Sequence, residues 1–381
     1  MWLKNIKVLN FRNFSHLSLD FSPKLNIIRG GNGQGKSNLL EAIYLLGKGE
    51  SFRTYQDRNL IKWDKNDFYV AGEAERRGSL FKYEVSLSRD SKKRWRVNSR
   101  SFPLRDKKWW LWMVVFSVHD LKIVEGGPFC RRNFLDEIAC FLYPEYYYLR
   151  FSFRKILAER NAFLQRLRKE GKIQSQEAAV WNHQFVEVGT KILLLRMEAL
   201  KELKKYFTKI YPLISGLRTS VDFSYTCSFA DEEKNFFHEE DLSVYRIKKL
   251  FTEKLQTLKE KEIERGVSLA GPHRDDFQIL INRVEQRTFA SQGEKTLVAI
   301  ALKFAEFELI REKKEEIPIL LLDDFPSDLD TERVKYILKL IEEKGQVFIA
   351  TQHPEMLGEN LLSKGSIFTV KGGEITRNDR G

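Results

Sequence analysis

The chain is predicted to be an α/β protein whose core is divided by a helical insertion. Three observations predict this. Short apolar runs alternate with helical patterns near both ends of the 381 residues, a glycine-rich loop separates one such run from a helix, and apolar residues at helical spacing fill the middle. Strands are expected over residues 3–11, 16–21 and 25–28, and an apolar helix over 38–46.

Between that third strand and that helix the chain reads Gly30-Gly31-Asn32-Gly33-Gln34-Gly35-Lys36-Ser37, followed by Asn38, a complete GxxxxGKS phosphate loop. The glycines let backbone N–H groups turn toward a polyphosphate. Lys36 is placed to reach the outer phosphates, and the Ser37 hydroxyl to meet Mg²⁺ at the positive end of the helix. Residues 30–38 are therefore the expected binding site for ATP or GTP.

Residues 68–116 read as β-rich, with a hairpin at Asn98-Ser99 and a buried strand in the apolar run from 109 to 118. The pattern then becomes helical. Phe163, Leu164 and Leu167 share one face, Phe185, Ile192, Ala199 and Leu203 recur at three-four spacing, and a third amphipathic stretch ends at Gly266. The heptad-like run is too short for a long coiled-coil arm, so a packed helical lobe is expected. After it Ile319–Leu322 reads as a buried strand ending in Asp323-Asp324, residues 334–341 as a helix and 347–350 as another strand. The expected division is 1–150, 151–265 and 266–381, the first and last parts forming one lobe.

Lys and Arg outnumber Asp and Glu by 65 to 53, a net charge of +12, which favours an anionic partner such as nucleic acid. The three cysteines, Cys130, Cys140 and Cys227, form no CxxC, so neither a disulfide framework nor a zinc ribbon is indicated and a cytoplasmic location is expected. No apolar run reaches the roughly 20 residues that span a bilayer, and no membrane association is expected.

A carboxylate at the end of a buried strand, as at Asp323, supplies the second half of a nucleotide site by holding Mg²⁺. Asp324 follows where ABC-type ATPases carry a water-activating Glu. It is one methylene shorter, which points to slow turnover. Ser291-Gln292-Gly293-Glu294-Lys295, ahead of an apolar helix over 297–307, resembles the ABC signature motif, which binds the γ-phosphate held by another subunit. Ser327-Asp328-Leu329-Asp330 stands in the place of a D-loop.

The chain resembles the RecF family of recombination mediators, related to the SMC-type ATPases, and the resemblance runs nearly end to end. It is carried in order by NFRNF from Asn10, GNGQGKSNLLEAIYLL from Gly31, SFRT from Ser51, RRNFLD from Arg131, GPHRDDF from Gly271, SQGEKTLVAIALKFAE from Ser291 and LLLDDFPSDLD from Leu320. It implies an ABC-type, SMC-like ATPase lobe with a mixed sheet and an inserted helical lid. It also implies ATP-driven homodimerisation, slow DNA-stimulated hydrolysis used as a switch, and cooperation with RecR and RecO in loading RecA at single-strand gaps, with links to replication restart and the SOS response. Under it Lys36, Ser37 and Asp323 hold Mg-ATP, Asp324 orients water, and Ser291, Gln292, Gly293 and Glu294 close the facing copy's site. Arg12 and Asn13 are expected to touch the nucleotide, and Asp120 to belong to the metal site.

Several positions depart from the family pattern. Ser117-Val118-His119-Asp120 stands where Pro-Glu-Asp is usual, the hairpin glycine is Ser99, and His353 occupies a position where a γ-phosphate sensor would sit. In GPHRDDF, His273 and Asp275 lack a complete metal-ligand set, so a structural turn near the dimer face is expected. Lys92, Lys93, Arg94 and Arg96 around the predicted hairpin, with Trp95 among them, form a candidate non-specific DNA surface, and Arg53 a second contact by resemblance. The main alternative is an SMC-like ATPase of a defence or nuclease-associated system, which would need a metal-binding carboxylate domain that the sequence beyond Ile375 is not expected to hold. A transporter motor fits the helical insertion and the SQGEK motif poorly.

Overall fold

The computed structural model describes residues 1–103, 107–170, 175–230, 243–325, 329, 331–342 and 344–378. The chain forms two compact units. The first comprises Met1–Leu121, Ile210–Leu217 and Thr296–Gly381, and the second Lys122–Lys209 and Arg218–Lys295.

Two sheets build the first unit. One is antiparallel throughout, in the order Phe14–Asp20, Trp2–Phe11, Asp67–Arg76, Ser79–Ser88, Arg94–Val97, Arg100–Ser101. The last two strands are joined at Asn98 and Ser99, whose φ values of 48° and 65° suit a type I′ hairpin. The expected turn thus forms, with Ser99 in the left-handed region usually given to glycine. The second sheet is mixed, with Ser366–Lys371, Leu25–Arg29, Val347–Thr351, Ile319–Leu322 and Met113–Phe116 parallel and Glu374–Asn378 antiparallel at one edge. Its central strands are apolar runs because both faces are covered.

Helix Lys36–Lys48 touches strands of both sheets, and only Ser37 and Asn38 of its residues escape burial. It packs so closely that a Cβ on Gly47 would lie 2.6 Å from Met113 Cε. The loop ahead of the helix, Asp323 and Ser117 all follow carboxyl ends of parallel strands, where open α/β sheets bind ligands.

The second unit contains helices Pro128–Leu142, Pro144–Glu170 and Val244–Arg265, and most of Ser175–Ser215. Ser243 caps Val244–Arg265 through the Arg246 amide, and Gly266, at φ 66°, ends it as the sequence indicated. The unit runs from 122 to 209 and from 218 to 295, with helix Pro128–Leu142 near its beginning, and it also holds a small antiparallel sheet of Val221–Thr226, Asp276–Ile281 and Val284–Glu285. Phe223 stacks on Phe207 and meets Phe277 edge-on, which ties that sheet to the long helix. Of the apolar run over 109–118, only Met113–Phe116 is strand. Among the described residues no helix is long and apolar enough to cross a membrane.

Candidate nucleotide site

A cleft of ≈280 Å³ in the first unit is lined by the glycine loop with Lys36, Ser37, Arg53, His119, Asp323 and Asp324. Gly35 turns the chain into the helix at φ 124°, and a Cβ there would lie 2.7 Å from Asn13 Nδ2, so no other residue fits without displacing that brace. Lys36 Nζ donates to the Gly30 and Gly31 carbonyls at 2.8 and 2.9 Å. Burial holds the Lys36 ammonium below the usual lysine range, against the opposing pull of Asp324 and Asp323. Ser37 Oγ donates to Asp323 Oδ1 at 2.7 Å. Burial raises the Asp323 carboxyl, against the Ser37 hydrogen bond.

This hydroxyl and carboxylate fit Mg²⁺, a hard cation that takes oxygen ligands, one or two from protein and the rest from phosphates and water. Among the described residues no group of three or more His, Cys, Asp or Glu could hold a metal alone. Asp324 lines the same cleft, half-buried, with a φ of 59° that Asp tolerates better than most side chains.

The neighbours divide into braces and absentees. Asn13 Nδ2 donates to the Gln34 carbonyl at 2.8 Å, and its Oδ1 accepts from Asn38 Nδ2 at 2.8 Å. The Gln34 side chain accepts from the Gly372 amide at 2.6 Å. Arg12 is turned elsewhere. Its guanidinium makes two 2.8 Å bonds to Glu41 and a third to the Asn59 carbonyl, and Arg12 is not among the residues lining the cleft. Glu41 itself was not foreseen. Fully buried, it also accepts from Ser51 Oγ at 2.5 Å and pairs with Arg53 at 3.4 Å, and Arg53 reaches Asn38 at 2.7 Å. The burial of Glu41, one turn beyond Ser37, is visible only in the fold.

Asp120 is likewise absent from the cleft lining. It accepts from the Ser117 amide and hydroxyl at 2.7 and 3.1 Å, completing a capping box, and lies 3.9 Å from Lys303 Nζ. His119 and Ser117 line the cleft instead. His353 is largely exposed and lies 3.0 Å from Glu355, outside that lining.

Ser291, Gln292 and Glu294 are exposed at the start of helix Gln292–Lys314, with Gly293 half-buried. Glu294 accepts from the Ser291 amide and hydroxyl at 2.8 Å each. Ser327, Asp328 and Asp330 of the expected D-loop lie outside the described residues. On the basic hairpin Lys92 and Arg94 are exposed, Lys93 pairs with Asp57 at 2.6 Å, and Arg96 is half-buried. Trp95 is buried and donates to the Leu46 carbonyl at 3.0 Å, so it takes no part in that surface.

GPHRDDF and RRNFLD stitch the second unit together. Arg131 holds Asp276 with two bonds of 2.8 and 2.7 Å, Arg132 donates to the Asp275 carbonyl at 2.7 Å, and buried Asp275 accepts from Ser228 and Tyr225. A turn does form, closed by the Arg274 amide on the Gly271 carbonyl at 2.8 Å. His273 Nε2 meets the Ser268 carbonyl at 3.1 Å while Nδ1 is buried without a hydrogen-bond partner among the described residues. Burial lowers His273 to about 4. The unfolded chain, near the ordinary value of about 6.5, then binds more protons below that pH, so this group's stability is intact above 6.5 and falls as pH drops toward 4. The loss is expected to approach roughly 3 kcal/mol at pH 4. Thermal melts of the wild type and His273→Gln over pH 7 to 4 should diverge, the variant falling less steeply, and parallel curves would refute this.

The family model for the RecF/RecN/SMC N terminal domain matches residues 2–375. DNA replication and repair protein RecF of Bacillus mycoides strain KBAB4 is 36% identical over 98% of this chain and 98% of its own length, and that of Bacillus cytotoxicus matches equally. The chain belongs to the RecF family. The recombination mediator protein RecF-ATPrS in the RecFOR pathway superposes with a TM-score of 0.85 at 32% identity, covering 99% of this chain and 98% of that one. RecF-ATP in the same pathway gives 0.83 at 33%, covering 99% and 97%. An Smc head bound to the C-winged helix domain of ScpA, 16% identical at a TM-score of 0.55, covering 99% and 97%, shares the fold. An ABC-type, SMC-like head with a mixed sheet and helical segments was the architecture expected, and it is the one found.

Proposed function

We propose that this RecF-family chain is an ATP-dependent DNA-binding protein of recombinational repair and replication restart. The carrying observation is the 2.7 Å bond from Ser37 Oγ to Asp323 Oδ1, which joins the phosphate loop to a carboxylate just past the carboxyl end of the parallel strand Ile319–Leu322. RecF-ATP among its relatives supports ATP as the nucleotide. In this reading the loop amides and Lys36 take the phosphates, and Ser37 and Asp323 hold Mg²⁺, which neutralises charge on the transferring phosphoryl group. Asp324 orients the attacking water. The exposed Ser291, Gln292, Gly293 and Glu294 of a second copy close the site, so ATP drives dimerisation on DNA.

Hydrolysis is slow, stimulated by DNA, and serves as a switch. RecR is the partner, and with RecO the dimer helps RecA load at single-strand gaps and feeds the SOS response in the cytoplasm. The test is light scattering with a non-cleavable ATP analogue, alongside DNA binding across a salt series with ATP and ADP. A dimer with ATP-favoured, salt-sensitive DNA affinity is expected. Monomers throughout, or equal affinity with both nucleotides, would refute an ATP-switched clamp.

A further inference from the structure

Two large aromatic side chains stand almost fully in solvent on the first unit, Tyr55 at 95% and Trp63 at 87% exposure. Trp63 tips a tight turn closed by the Lys65 amide on the Lys62 carbonyl at 3.1 Å, with Asp64 at φ 64°. The turn is bolted to the antiparallel sheet, since the Lys62 amide donates to the Asn10 carbonyl at 2.8 Å and Lys62 Nζ to Ser15 Oγ at 2.6 Å. A rigid backbone therefore presents the face of a large aromatic ring to water, open to a planar partner.

The charge around those rings says what. The Arg89 amide donates to the Asn66 carbonyl at 2.9 Å, three residues beyond Trp63, and Arg58 donates to the Arg89 carbonyl at 3.2 Å. Asp57, two residues beyond Tyr55, pairs with Lys93 at 2.6 Å. The basic loop running into Arg94 thus lies against both aromatic segments, with Arg58, Arg89, Lys92 and Arg94 exposed. Asp57, paired with Lys93, and the exposed Asp64, Asp67 and Asp90 are the acids interspersed there.

We propose that Trp63, with Tyr55, is a stacking platform for unpaired nucleobases, and that the Arg58 to Arg94 surface holds the phosphates of the same strand. Aromatic faces interleaved with cations are how proteins bind single strands without reading sequence. A duplex offers its phosphates but keeps base faces stacked, so only unpaired nucleotides use both halves of the surface. Protein interfaces also favour Trp, Tyr and Arg, but a protein partner would leave no difference between unpaired and duplex DNA, and that difference is what the experiment reads. The platform replaces buried Trp95 as the aromatic part of the surface, and it rests on the proposed DNA-binding function. Tyr55 is also two residues from Arg53, which lines the phosphate cleft.

The experiment uses the full chain with ATP and Mg²⁺ and measures anisotropy of labelled single-stranded, gapped and fully duplex DNA. Trp63→Ala is expected to weaken single-stranded and gapped binding by about 5- to 150-fold, the range for one lost stacked base. Trp63→Phe should recover most of it, and duplex binding should change far less. Replacing bases by abasic sites should weaken the wild type similarly and add little to Trp63→Ala. Unchanged single-strand affinity in Trp63→Ala overturns the platform while leaving the proposed function standing. So does a variant whose DNA binding is normal but whose binding to RecR is lost. No DNA binding by the unaltered chain would overturn both.

Discussion

Lys36→Ala is expected to lower DNA-dependent phosphate release by at least about 100-fold, the scale on which removal of a positioned transition-state charge acts. The side chain is already held at the loop, 2.8 and 2.9 Å from two of its carbonyls, and burial has weakened its hold on its own proton. A phosphate arriving there meets a partly desolvated cation with little reorganisation left to make. Lys36→Arg should be nearly as damaging, because a planar guanidinium cannot occupy a space shaped for a compact ammonium. Both variants should also lose the rise in melting temperature that Mg-ATP gives the wild type, by mass action on a native-state ligand. Normal phosphate release by either variant would remove Lys36 from the site.

How much of this could be read from sequence depended on how local the determining physics was. The strand Leu25–Arg29, the glycine loop and the strand Ile319–Leu322 with Asp323 are set by neighbours in the chain, and each lies where the pattern put it. The hairpin at Asn98 and Ser99 is equally local. The ion pair of Arg12 was not legible because its partner, Glu41, is 29 residues away and looks like an ordinary helical acid until the helix is wrapped by two sheets. Trp95 and Trp63 were opposites in fact but not in sequence. Each sits beside lysines or arginines, and only the fold sends Trp95 to the Leu46 carbonyl and leaves Trp63 in solvent. The sheet of the second unit was missed although Val221–Thr226 alternates at period two, since a long helical pattern on either side outweighed six residues.

Arg196→Ala is expected to destabilise the second unit by about 3–5 kcal/mol, the cost of leaving a buried charge without its partner. Arg196 is buried, donates to Asp136 Oδ1 at 2.8 Å, to Tyr146 at 3.0 Å and to the Pro272 carbonyl at 2.6 Å, and so joins RRNFLD to GPHRDDF. Arg150, 3.3 Å from Asp136, can offset only part of the loss from the edge. Combining Arg196→Met with Asp136→Leu and Tyr146→Phe should recover stability relative to Arg196→Ala, because the buried carboxylate and phenol leave with the guanidinium, although the Pro272 carbonyl still loses its donor. Urea denaturation followed by hydrogen exchange can assign the transition to its unit, which a single midpoint cannot do for a chain of two units. A wild-type transition in Arg196→Ala would mean that the network is not what holds these motifs together. Selective melting of the second unit, with Mg-ATP still protecting helix Lys36–Lys48 from exchange, would instead show that this network stabilises its own unit and that the phosphate site keeps its fold without it.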